Sequence, residues 1–75
     1  MDNSSLDELQ SIYKRAVDEW VEAIRAEEAL ATLDHSESAM EKWDTAGFNE
    51  LEAQKRAKQA RDAYQEGLRR LNYNF

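Results

Sequence analysis

The sequence predicts an all-α protein: two long antiparallel helices in a hairpin, with two such chains pairing as a four-helix bundle. Three observations lead there. Apolar residues recur at three- and four-residue steps through most of the chain. There is no proline, and only Gly47 and Gly67 could interrupt a helix on backbone grounds. A single polar break, Asp34-His35-Ser36, separates two periodic runs. A break this short between long helices reads as a helical hairpin.

Helix 1 is expected from about residue 5 to 33. Ser5-Leu6-Asp7-Glu8 has the S-x-x-E pattern of a capping box, in which the serine hydroxyl and the glutamate side chain satisfy each other's backbone amides. The apolar stripe that follows is Leu6, Leu9, Tyr13, Ala16, Val17, Trp20, Ala23, Ile24 and Ala31. A second row, Ile12, Ala26, Leu30 and Leu33, widens it. So wide a stripe implies contact with more than one neighbouring helix.

The turn is expected over 34–36, with Asp34 or Ser36 capping helix 2. Helix 2 then runs from about 37 to 71. Ala39, Ala46, Ala53, Ala60 and Gly67 repeat every seven residues, and Trp43, Glu50, Ala57, Tyr64 and Leu71 form a parallel series. Together they make a seam in which small side chains let another helix approach closely. Asp44-Thr45-Ala46-Gly47-Phe48-Asn49 clusters poor helix formers. The unbroken seven-residue phase across it argues for a continuous helix. An aromatic tail, 72–75, closes the chain.

Composition restricts the partners. Seventy-five residues make one domain, and much of the apolar content is alanine. A chain this short buries only about 60% of its unfolded surface even when compact. With no cysteine, neither disulfides nor thiolate metal sites can supplement the core. The missing contacts are expected from a second copy, from a larger protein, or from both. After the seam is filled, Ile12, Val17, Val21, Leu30, Leu33, Met40, Phe48 and Leu51 remain to meet that partner. Tyr73 and Phe75 join them from the tail.

A net charge of −6 argues against nucleic acid as a partner. Lys55, Arg56, Lys58 and Arg61, with Arg69 and Arg70 beyond, could form a phosphate-binding face. Asp62 and Glu66 dilute it, so a solvated, internally paired face is preferred. No apolar run reaches the roughly 20 residues that span a bilayer, so no membrane is expected. Met1-Asp2-Asn3-Ser4-Ser5 lacks the basic and apolar regions of a signal peptide. The cytoplasm is the expected location.

Few residues suggest chemistry. If the turn centres on Asp34–His35, facing positions sum to about 70. Trp20 then stands opposite Glu50, and Glu27 opposite Trp43. Each indole N–H could donate to the carboxylate facing it and fix the register. Alternatively, each carboxylate leans to the edge of the seam and reaches water, which is the preferred reading for Glu50. Glu27, Glu28, His35 and Glu37 are the only metal candidates, since inward carboxylates in helical bundles can hold metals. Turn residues more often cap or meet solvent, so no metal, no cofactor and no catalytic residue is expected. Function is therefore expected to be a non-enzymatic protein–protein interaction or assembly module. The alternatives are a metal-binding carboxylate bundle and a small nucleic-acid-associated regulator.

Overall fold

A computed structural model describes residues 3–31 and 35–73. The chain forms two helices, α1 (Asn3–Ala29) and α2 (Glu37–Tyr73), packed against each other along their lengths. The Cα atoms extend over 56 × 16 × 11 Å, with a radius of gyration of 17.1 Å. A compact chain of this length has a radius of about 11 Å. The hairpin is therefore a flat, elongated rod pair with two broad faces.

The alanine seam sets the packing. Ala53 and Ala57 are each only 2% exposed, and Gly67 is buried beside them on α2. From α1 come Leu6 and Ala16, the other buried apolar residues. No large side chain among the described residues is fully buried. Close approach, rather than volume, thus holds this hairpin together. Burying a Leu, Val or Ile completely is worth about 1.5–3 kcal/mol, and only Leu6 comes near that.

Both ends of α1 differ from expectation. The helix starts at Asn3, ahead of Ser5, so Ser5 lies within the first turn and is not the N-cap. Helical hydrogen bonding extends further N-terminally than the capping pattern implies. At the other end α1 stops at Ala29, a full turn before Leu33. Leu30 and Ala31 donate their amides to the carbonyls of Glu27 and Glu28, at 3.1 and 2.9 Å. These i→i−3 bonds tighten the last turn and end the α-helical ladder. The apolar spacing of Leu30 and Leu33 predicts a longer helix, but spacing alone does not hold the ladder open against this tightening. Leu33, Asp34 and Phe75 lie outside the described residues.

Ser36 caps α2. Its hydroxyl accepts from the Ala39 amide at 3.2 Å, and its carbonyl accepts from the Met40 amide at 3.1 Å. Glu37 in the first turn and Arg70 in the last both complement the α2 dipole. The helix runs unbroken through Asp44–Asn49. Thr45 returns its hydroxyl to the Glu41 carbonyl at 3.1 Å, which satisfies the side chain without leaving the helix.

Candidate functional site

Cross-helix contacts define the register first. Tyr13 stacks on Tyr64, with ring centroids 6.4 Å apart and planes 28° apart. Gln10 donates to the Tyr64 hydroxyl at 3.5 Å. Arg56 lies 4.0 Å from Glu19. The Trp20 indole N–H donates to a Glu50 carboxylate oxygen at 2.5 Å. This is the reverse of the preferred expectation for Glu50, which does not simply lean out to water. A charged acceptor in a half-buried seam strengthens such a bond, and the donor-only indole gains its partner.

Glu27 does not meet Trp43. Its carboxylate instead lies over Gly47, one turn further along α2, where a Cβ would stand 3.5 Å from the Glu27 Oε2. The register is thus displaced by about a helical turn along the whole hairpin, Gln10 facing Tyr64 and Glu19 facing Arg56 with the same offset as Glu27 and Gly47. Early termination of α1 at Ala29 leaves the first turns of α2 beside Leu30, Ala31, His35 and Ser36 instead of beside α1. Trp43 sits in that groove, together with Met40 and Asp44, and is 42% exposed.

The two broad faces of the hairpin differ in chemistry. One carries Ile12, Arg15 and Glu19 from α1 beside Arg56, Gln59 and Ala63 from α2. Nearer the hairpin end the same face shows Ser38, Glu41, Lys42, Thr45 and Asn49, with Leu30 at its edge. Its rim is mostly polar, while Leu9, Ala16, Ala46 and Ala60 form an apolar floor. The opposite face is marked in its middle by Tyr13, Val17, Trp20, Lys58 and Arg61. Helical steps of three and four extend Val17 to Val21 and Ile24 on α1. Steps of seven extend Lys58 back to Leu51 and Asp44 on α2, with a drift of only about 20° per heptad. Met40 shares that groove with Asp44.

This second face is open, and its apolar side chains stand among Asp44, Lys58 and Arg61. Val21, Ile24, Met40 and Leu51 are all exposed, Met40 by 59%. Of the residues expected to meet a partner, Val17, Val21, Met40 and Leu51 fall together here. Phe48 is 65% exposed, one heptad from Glu41, at the outer edge of α2 toward the polar face. Leu30 borders both faces, and Ile12 belongs to the polar one. Tyr73 is 68% exposed at the far end of α2. Two residues near this face are not among those expected to meet a partner. The sequence pattern puts Ile24 in the intrachain stripe and Trp43 in a polar pair. The i, i+4, i+7 spacing of Val17, Val21 and Ile24 carries the signal that identifies the first.

The other candidate chemistries find less geometry. No three His, Asp or Glu side chains among the described residues come within metal-binding reach, and Glu27, Glu28, His35 and Glu37 do not converge. Most of the basic group is internally paired. Lys55 meets Glu52, Arg56 meets Glu19, Arg61 meets Asp62, and Arg69 and Arg70 meet Glu66. No helix among the described residues is long and apolar enough to cross a membrane. Comparisons with protein-family models, with curated proteins and with solved structures give no match to this chain.

Proposed function

We propose that this chain is a small non-enzymatic interaction module. Its working surface is the open face that carries Val17, Val21, Ile24, Met40 and Leu51. The module acts by completing a bundle of four helices, the other two coming from a copy of itself or from a larger protein. One observation carries this reading. The hairpin buries mostly small side chains between its own helices and leaves Val21, Ile24, Met40 and Leu51 open on one face. Contiguous exposed apolar surface of this kind marks protein–protein contact. The paired basic residues and the overall charge of −6 favour a protein partner over a polyanion. The cytoplasm is the proposed setting, with the exposed face covered there by the partner.

Site-specific photo-crosslinking in the native cell tests this. A photoreactive residue in place of Leu51 should give a discrete crosslinked species. The same probe in place of Lys42, on the polar face, should give none. Equal crosslinking from both positions, or none from either, would remove the apolar face as an interaction surface.

A further inference from the structure

The apolar face has a size, a symmetry and a charge pattern that together suit one kind of occupant. The chain exposes 5872 Å². A compact monomer of 8.7 kDa exposes about 4700 Å². The excess is about 1200 Å², and each partner in a standard protein interface contributes about 800 Å². A single interface of ordinary size would therefore bring the hairpin to the surface expected of a compact protein.

The face is also nearly symmetric about one level. On α2 that level is Leu51. On α1 it lies between Trp20, which bonds Glu50, and Glu27, which covers Gly47. Val21 and Ile24 occupy this stretch. A two-fold axis lying in the plane of the interface, perpendicular to the helices and crossing them at this level, would set Leu51 near its own copy. It would also set Val21 and Ile24 around theirs.

Charge divides at the same point. From Glu37 to Glu50, α2 holds Glu37, Glu41, Asp44 and Glu50 against Lys42 alone. From Leu51 to Arg70 it holds Lys55, Arg56, Lys58, Arg61, Arg69 and Arg70 against Glu52, Asp62 and Glu66. Asp44 and Lys58 stand one heptad either side of Leu51, on the open face. Neither has an ion-pair partner among the described residues. An antiparallel copy would bring the acidic half of one α2 over the basic half of the other. A two-fold axis parallel to the helices would instead lay each α2 over the partner's α1, and Asp44 would not meet Lys58.

We propose that the occupant of the apolar face is a second copy of this chain, laid antiparallel about a two-fold axis at Leu51, with Asp44 facing the partner's Lys58. The proposal rests on the interaction-module reading and names its partner. α2 then packs on α2 and α1 on α1, every neighbouring pair in the four-helix bundle being antiparallel. Because the contact is isologous, the Asp44–Lys58 pairing occurs twice.

Charge exchange between two purified full-length variants tests this. At low salt, sedimentation equilibrium should show wild-type dimers. Asp44→Lys and Lys58→Asp should each weaken dimerisation by about tenfold, because both symmetric contacts become repulsive. An equimolar mixture of the two variants should recover the wild-type affinity, and so should D44K/K58D in one chain. If a single variant loses its helix alone, recovery of the circular dichroism signal on mixing reports the same pairing. Dimers that ignore both exchanges would overturn the antiparallel arrangement. A helical wild-type chain that stays monomeric at every concentration would overturn the second copy as occupant. Crosslinking from Leu51 to another protein would then leave the interaction module standing.

Discussion

The two halves of the hairpin share one alanine seam but close it differently. In the half far from the hairpin end, Leu6 and Ala16 meet Ala53, Ala57 and Gly67, and Tyr13 stacks on Tyr64. There the helices bury their small residues and line the edges with aromatics. In the half near the hairpin end, Ala39 and Ala46 continue the seam, yet neither is buried. The large side chains of that half, Ile24, Met40, Trp43, Phe48 and Leu51, remain open. The contrast teaches that small-residue periodicity governs how near two helices come, not how much apolar surface they hide. Where α1 offers Leu6, Leu9 and Tyr13 beside the seam, the hairpin covers itself. Where α1 offers Glu27 and then ends at Ala29, it does not.

Overpacking the closed half should produce the largest effect. Ala57→Leu inserts a branched side chain where the helices touch, and overpacking costs about 1–3 kcal/mol, occasionally more. In so small a protein that should remove most of the cooperative unfolding transition seen by circular dichroism. Ala46→Leu, in the open half, should cost clearly less. Equal losses at both positions would mean that the two halves are packed alike.

The two tryptophans should sharpen the contrast with a smaller effect. Trp20→Phe removes the donor to Glu50, and a hydrogen bond to a charged group contributes about 1.5–3 kcal/mol. Half-burial of this pair places the expected loss at the lower end of that range. Trp43→Phe should change the stability of the isolated hairpin by about 0.5 kcal/mol or less, because its ring stands open in the groove. Chemical denaturation of both variants measures the difference. A loss at Trp43 as large as that at Trp20 would restore the Trp43–Glu27 pairing that the register denies.

The same contrast explains which features are legible in the sequence. Helix content, the hairpin and the continuity of α2 follow from local periodicity and from the absence of proline. The cap at Ser36 follows from residue type next to a periodic run. Periodicity also says which side of each helix turns inward, because a hundred-degree step fixes direction around the axis. It does not say how far one helix is slid along the other. That depends on where α1 ends, and the tightened turn at Leu30–Ala31 has no strong signature such as a glycine cap. Glu50 still finds Trp20 because both side chains are long enough to absorb part of the offset. The offset is about a full turn throughout, so Glu27 reaches Gly47 and Trp43 is left in the open groove. The apolar face is half visible for the same reason. Met40, Phe48 and Leu51 lie too far around α2 for any register to bury them. The α1 stripe is wide enough to take in both Ile24 and Ile12, and its width does not distinguish the hairpin's two faces.

Thermal unfolding followed over a wide range of protein concentration tests most directly whether the open face must be covered. A chain that folds fully only when its apolar face is shared should melt at higher temperature as concentration rises, and lose helix on dilution. A melting temperature that does not move with concentration, in a chain whose sedimentation mass is that of one hairpin, would contradict the account.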